Sequence, residues 1–348
     1  MISRLDNTKM MGDGLRIPVH TITGFLGSGK TTLLNRLVRD PGLADTAVIV
    51  NEFGEIGIDH ALVETALEEA MLMRSGCLCC TLRGDLVDTL CELEAGVREG
   101  RLPSFGRVLV ETTGLADPGP VLQTLMGDEL LAHRYRAGVV VTTVDAINAP
   151  ANHVENPEFA RQVAVADRLV LTKTDIASGA ERGRSLELIR RINAGALLFE
   201  AVSGQVEPGA LLDPKDMQGD ARTAGIERWF AVGSGDGPDH ENHGRHRDDV
   251  RAYCLVHDRP LPWYRLGQWL ESVVSLRGDQ LLRIKGLVNV EGESVPVAVH
   301  GVRHVLHPPV RLECWPDDDH RTRIVFIARG LELRGVERLI GTAVRETP

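Results

Sequence analysis

The chain has 348 residues, 43% of them hydrophobic and 4% aromatic, with a formal net charge of −10. That length suits about two domains, and the apolar content is enough to bury a substantial core. The acidic balance and the scarcity of aromatics exclude general DNA or RNA binding, which shows a basic footprint or stacking platforms. No apolar run approaches the length of a membrane span. Residues 1–16 carry charges without an apolar centre, so they read as a flexible lead-in and not as a signal peptide. Six cysteines, three of them crowded together, do not make a secreted disulfide framework, and the cytoplasm is the expected compartment.

An apolar run with strand character (Ile17, Val19, Ile22) leads into Gly24-Phe25-Leu26-Gly27-Ser28-Gly29-Lys30-Thr31, which fits G-x-x-x-x-G-K-[ST] at every fixed position. A helical pattern from Thr32 to Val38 follows, giving the motif the strand, turn and helix context it requires. Gly24, Gly27 and Gly29 let the backbone, with Ser28 and Thr32, wrap N–H groups around phosphate oxygens at the positive end of that helix. Lys30 would reach the outer phosphates, and the Thr31 hydroxyl would hold Mg²⁺.

Ala47-Val48-Ile49-Val50 is a short apolar strand, and residues 51–59, rich in glycine and carboxylate, read as a loop past its carboxyl end. Ligands sit at such loops in parallel α/β sheets. A helical stretch (Ala61 to Met71) precedes Cys77-Leu78-Cys79-Cys80, and another helical pattern runs through Leu86, Leu90 and Leu93. Arg107–Glu111, Val139–Asp145, Arg168–Leu171 and Leu197–Glu200 are further strands between helical stretches. The alternation predicts an α/β domain over 17–230, its mostly parallel sheet covered on both faces. Residues 231–249, rich in glycine, histidine and charge, read as a linker. In 250–348, Trp263, Leu266, Trp269, Leu270 and Val273 recur at helical spacing. Leu281–Val290, the turn Glu291-Gly292-Glu293 and Ser294–His300 form a hairpin pattern, and Arg323–Ala328 another strand. With a closing helix over Gly335–Val344, this is a smaller α+β domain.

Asp175, in the loop after the fifth strand, can accept from both N1–H and the exocyclic amine of guanine; adenine presents neither donor there. The Lys173 stem can lie across the base plane. Glu111 ends its strand and can hold Mg²⁺ through water or orient the attacking water, and the Gly114 N–H can sense a γ-phosphate. Lys30 and Glu111 are therefore the catalytic candidates.

Cys77, Cys79 and Cys80 form a different kind of site. Soft thiolates select Zn²⁺, Cu(I) and similar metals, and three so close repel one another unless a cation sits among them. In an extended segment Cys77 and Cys79 share a face and Cys80 opposes them, so one ion needs a turn in the chain. Three ligands leave a position open or filled from elsewhere, which suits metal that is given up, whereas closed structural zinc has four. Redox chemistry and plain buried thiols are the alternatives. Glu52, Glu55 and Asp59 could assist a metal or form only a solvated acidic loop. His240, His243 and His246 in the linker, and His300, His304 and His307 beyond it, read first as solvated residues and second as transient metal ligands.

The phosphate loop, Asn-Glu-Phe-Gly-Glu-Ile-Gly-Ile-Asp at 51–59, Gly-Cys-Leu-Cys-Cys at 76–80, Glu-Thr-Thr-Gly-Leu-Ala-Asp-Pro at 111–118 and Thr-Lys-Thr-Asp at 172–175 resemble the CobW-type metallochaperone GTPases. Ile284-Lys285-Gly286 and Trp315-Pro316-Asp317-Asp318 are similar to that family's C-terminal domain. The resemblance implies a P-loop GTPase that uses GTP and Mg²⁺ to deliver a transition metal, most often zinc and alternatively cobalt or iron, to a client metalloprotein. Cys77, Cys79 and Cys80 would hold that cargo. The family often has Asn where this chain has Thr172, and a hydroxyl cannot span the donor and acceptor of an amide. Weaker guanine affinity is the expectation, with Asp175 keeping the discriminating contact. Two other functions fit the same residues: a GTP-driven activator that remodels a metalloenzyme without carrying its metal, and a small-molecule kinase, for which no acceptor pocket is recognisable.

Overall fold

The computed structural model describes residues 16–50, 78–81, 86–212 and 250–330. The lead-in up to residue 15, the loop 51–59 with Glu52, the helical stretch 61–71, Cys77, the linker 231–249 and the closing helix 335–344 lie outside the described residues. The chain divides into two compact units.

The first unit is built on strands β1 (Ile17–Gly24), β2 (Thr46–Val50), β3 (Leu78–Thr81), β4 (Arg107–Glu111), β5 (Tyr135–Asp145), β6 (Arg168–Thr172) and β7 (Leu197–Ala201). They form one seven-stranded sheet in the order β3-β2-β4-β1-β5-β6-β7, with every pairing parallel. Helices α1 (Lys30–Leu37), α2 (Leu86–Arg98), α3 (Gly119–Gly127), α4 (Glu129–Ala132), α5 (Ala149–Glu155), α6 (Pro157–Val165) and α7 (Gly179–Ile192) lie between them in the chain, and α8 (Pro208–Leu212) follows β7. Strands covered on both faces need no polar alternation, which is why β2 (Thr-Ala-Val-Ile-Val) and β6 (Arg-Leu-Val-Leu-Thr) are buried at every position. On one face Ile17, Val19, Ala47, Ile49, Val108 and Val110 pack against Leu86, Leu90 and Leu93 of α2 and Leu125 of α3. Each of those leucines contributes about 1.5–3 kcal/mol by leaving water.

β5 departs from its expected start. It begins at Tyr135, and its pairing with β1 shifts register between Val19 and Thr21. There the Val139 N–H donates to His20 Nδ1 at 3.1 Å, and the next amide, Val140 N–H, donates to Asp167 Oδ2 at 2.9 Å. A bulge leaves ladder groups unpaired, and here side chains satisfy them. His20 can accept only as neutral imidazole. Burial, then the nearby Arg136 and Arg107 charges, lower its pKa to about 3. Beyond the bulge Thr143 pairs with Gly24 and Asp145 with Thr172.

The second unit carries β8 (Val250–His257), β9 (Leu281–Val288), β10 (Val297–Val302), β11 (Val305–Leu306), β12 (Val310–Arg311) and β13 (Thr322–Arg329). Their order is β11-β10-β9-β13-β8 with β12 also on β10, and every pairing is antiparallel. The expected hairpin is β9–β10, with Val288 opposite Val297. Helix α9 (Trp263–Arg277) covers one face, its Trp269 meeting Phe326 edge-on at 5.9 Å between ring centroids. The other face gathers Leu287, Ala298 and Leu312 under Trp315. The loop behind Trp315 is fixed by Arg323, whose guanidinium grips Asp317 through two bonds of 2.6 and 2.7 Å.

Candidate nucleotide-binding site

In open parallel sheets ligands sit outside the carboxyl ends of the strands, where the strand order changes direction. Here that point is β1, with β4 on one side and β5 on the other. The carboxyl ends of β1, β4, β5, β6 and β7 deliver Gly24, Glu111, Asp145, Thr172 and Ala201 to one edge. The chain turns out of β1 at Gly24, where φ is 145° and a Cβ would lie 2.5 Å from the Thr143 carbonyl oxygen. It enters α1 at Gly29, the N-cap, with φ 94°. Both positions need glycine. Ser28 is buried under the loop, its Oγ 2.7 Å from Thr143 Oγ1.

Lys30 is 8% exposed and donates to the Gly24 and Phe25 carbonyls at 3.0 and 3.2 Å, so its ammonium lies within the loop it serves. Thr31 Oγ1 donates to Glu111 Oε1 at 3.0 Å. A hydroxyl and a carboxylate held side by side are the oxygen donors that Mg²⁺ accepts beside nucleotide phosphates. Thr112, directly after Glu111, donates through Oγ1 to Thr23 Oγ1 at 2.8 Å and through N–H to the Ile22 carbonyl at 2.9 Å. Gly114 is buried against the phosphate loop; a Cβ on it would stand 2.8 Å from Leu26 N.

Thr172, Lys173 and Asp175 act differently from one another. The Thr172 hydroxyl is buried and donates to the Ser28 carbonyl at 2.7 Å, with the Val144 carbonyl at 3.2 Å. Its hydroxyl is spent on joining the carboxyl end of β6 to the phosphate loop. Lys173 adopts φ 56° and donates to Asp145 Oδ2 at 2.7 Å. Asp175 is exposed, with no hydrogen-bond or ion-pair partner among the described residues.

Four residues beside this edge carry no functional signal in the sequence. Asp145 closes β5 and accepts from the N–H groups of Ile147 and Asn148, from Asn148 Nδ2 and from Lys173. Burial pushes its carboxyl up, but the bonds from Lys173, Asn148 and the backbone prevail and hold it below the usual carboxylate value. Gln162 on α6 contacts the segment after Glu111. Ser203, with φ 50°, and Gly204 form the turn after β7, and Gly204 lies close against the Thr32 carbonyl.

The structure therefore brings together Gly24, Gly27, Ser28, Gly29, Lys30, Thr31, Thr32, Glu111 and Gly114, with Thr172 ending β6 and Lys173 and Asp175 in the loop that leaves it, two strands from β1 in the sheet order. The cysteines lie elsewhere. Cys79 and Cys80 are in β3, paired to β2 in register with Val48 and Ile49, and β2 and β4 stand between β3 and β1. Cys77 and Glu52 fall outside the described residues. Among the described residues no group of three or more His, Cys, Asp or Glu is arranged to hold a metal. No described helix is long and apolar enough to cross a membrane.

Residues 18–200 match the family described as CobW/HypB/UreG, nucleotide-binding domain, and residues 250–344 match the cobalamin synthesis protein CobW C-terminal domain. The zinc chaperone YjiA of Escherichia coli K12 is 32% identical over 317 residues, covering 91% of this chain and 95% of the relative. The zinc chaperone CobW of Pseudomonas aeruginosa is 28% identical, covering 94% of this chain and 92% of its own. The crystal structure of Zn(II)-bound YjiA GTPase from E. coli superposes with a TM-score of 0.70 at 27% identity, covering 95% of this chain and 99% of that one.

Proposed function

The chain belongs to the CobW/HypB/UreG family, and from that premise we propose that this GTPase carries zinc on Cys77, Cys79 and Cys80 and hands it to a client metalloprotein in a GTP-dependent way. The names of its relatives support GTP as nucleotide and zinc as metal. The observation that carries the reading is the placement of Thr31 Oγ1 3.0 Å from Glu111 Oε1, next to the buried Lys30, at the carboxyl edge of the sheet. Phosphoryl transfer to water needs positioning and charge neutralisation more than covalent chemistry. Lys30 turns from the Gly24 and Phe25 carbonyls toward the outer phosphates, Thr31 and Glu111 hold Mg²⁺, and the Gly114 N–H meets the γ-phosphate. Mg²⁺, when bound, neutralises charge developing between the β- and γ-phosphates. Asp175 selects guanine, and Thr172 keeps the base loop in step with the phosphate loop.

Coupling to the cargo runs through β2. This strand pairs with β4, which ends in Glu111, and with β3, which holds Cys79 and Cys80. Nucleotide state and metal affinity are then linked reciprocally, and the second unit helps to choose or release the client. The test is zinc titration, against a competing chelator, of metal-free protein bearing a GTP analogue, GDP or nothing, alongside a Cys79→Ser, Cys80→Ser variant. The expected result is a zinc affinity that changes with nucleotide and collapses in the variant. A single affinity in all three states excludes this coupling. A relative in Schizosaccharomyces pombe is named zinc-regulated GTPase metalloprotein activator 1 (30% identical over 227 residues, 63% of this chain and 54% of the relative). A variant that loses zinc yet still activates a client would favour activation without metal carriage.

A further inference from the structure

Gln162 is 0% exposed, yet its neighbours are polar. Its Nε2 donates to the Gly114 carbonyl and to the Ala116 carbonyl, each at 3.0 Å. Its own backbone carbonyl accepts from Thr142 Oγ1 at 2.8 Å, which ties this turn of α6 to β5. The preceding residue, Arg161, stands 4.0 Å from the carboxylate of Asp117, which belongs to the same segment as Gly114. The Gln162 amide oxygen is buried with no partner among the described residues. An unmet buried acceptor is destabilising, and methionine would fill a similar volume without it. Packing alone does not select glutamine here; the two-pronged donation does. Unsatisfied groups tolerated in a folded protein point to work done at that place.

We propose that Gln162 is a positioning residue for GTP hydrolysis, its amide clipping the Gly114 and Ala116 carbonyls to α6 so that the Gly114 N–H keeps one direction over the phosphate loop. This rests on the reading of Gly114 as the γ-phosphate contact. The clipped carbonyls lie on either side of Leu115, which is itself 55% exposed and gives the segment no apolar anchor. Without the clip the segment loses its fixed orientation relative to Leu26. A donor aimed at charge that develops in the transition state is effective because it is already in place. GDP has no γ-phosphate, so its binding does not depend on the clip.

The experiment compares Gln162→Met, Gln162→Glu and Gly114→Ala with the full-length wild type, reading kcat and KM for GTP, GDP affinity, and amide exchange over 112–118. The methionine keeps the volume and removes the donors; the glutamate keeps the shape and faces both carbonyls with an acceptor. Both are expected to lower kcat by about tenfold or more, by the scale of a lost oxyanion donor. KM and GDP affinity should stay within about twofold. Exchange over 112–118 should quicken while that of β5 does not. Wild-type kcat in Gln162→Met overturns the proposal. So does a joint loss of GDP affinity and of β5 protection, because the residue would then only support the fold. If Gly114→Ala hydrolyses GTP normally, the Gly114 reading fails and the clip with it. If Gly114→Ala is impaired while Gln162→Met is not, the clip alone fails.

Discussion

Lys173 holds a left-handed backbone, φ 56°, that L residues with a long side chain rarely adopt. What keeps it there is its ammonium's bond to Asp145, a carboxylate only 4% exposed and satisfied by three further donors. In the proposed site this pair would hold the lysine stem for stacking on the base. Asp145→Ala releases it, and GDP affinity should fall by about tenfold, equivalent to ~1.4 kcal/mol. Asp145→Asn, which can still cap the turn, should lose less. Titration with a fluorescent guanine nucleotide checks both, and unchanged affinity in the alanine variant would remove Asp145 from the site. The sequence displayed Lys173 and Asp175 as a motif, but Asp145 only as a strand end, because its partner lies 28 positions away. Thr172 illustrates the same limit. Compared with an amide it reads as a deficit toward guanine, yet its hydroxyl is engaged with the Ser28 carbonyl, 144 positions back.

Among the elements, β5 depends on a histidine that never ionises in the folded state near neutral pH. His20 has its pKa lowered to about 3, against 6.5 unperturbed. Between those values the unfolded chain takes up a proton that the folded chain refuses. Stability is therefore full above 6.5 and is lost as pH falls toward 3, at up to about 1.4 kcal/mol per pH unit. In His20→Gln an amide oxygen can still accept from Val139, but nothing titrates. Urea unfolding between pH 7 and 4.5 should show a shallower acid decline in this variant. An identical slope would mean that the acid loss arises elsewhere. The bulge also explains why the sequence pattern of β5 is shorter than the strand: Gly138 interrupts the apolar run at the very place where the strand changes register. Four other strands are hidden, β11 and β12 because they are only two residues long and β3 and β8 for different reasons. Leu78–Thr81 is four residues long and its cysteines speak of metal first, while β8 runs through three successive half-buried residues, Ala252, Tyr253 and Cys254, and so shows no clean alternation. Gln162 had no local signature at all, since it works across 46 and 48 positions of sequence.

Across the whole molecule, the architecture follows from two kinds of sheet that announce themselves differently. Parallel strands buried on both faces tend to be continuous Val, Ile and Leu runs, so β2, β4 and β6 are legible with nearly correct ends; β1, broken by Pro18, His20 and threonines, is legible through the phosphate loop it leads into. The second sheet has one face under α9, and the hairpin turn at Gly292 together with the tryptophans of that helix gave it away. The phosphate loop is readable because its chemistry is local; the cradle around it is not, because threonines reach it from distant strands and the Gln162 amide from α6.

One consequence follows from β3's position. It is four residues long, lies at the edge of the described sheet and is zipped to β2 alone, whereas β2 has β4 on its far side. Short terminal strands are the least costly portions of a fold to detach, since opening them leaves the remaining ladder whole. Amide protection of Leu78–Thr81 in metal-free protein should thus be lower than that of Thr46–Val50, and zinc should raise the former while leaving the latter alone; equal protection in both states would contradict it. A grip mounted on such a strand can unzip from its sheet while the nucleotide fold stays closed, so release of an ion would require only a local peel at the margin and not the melting of the machine that drives it.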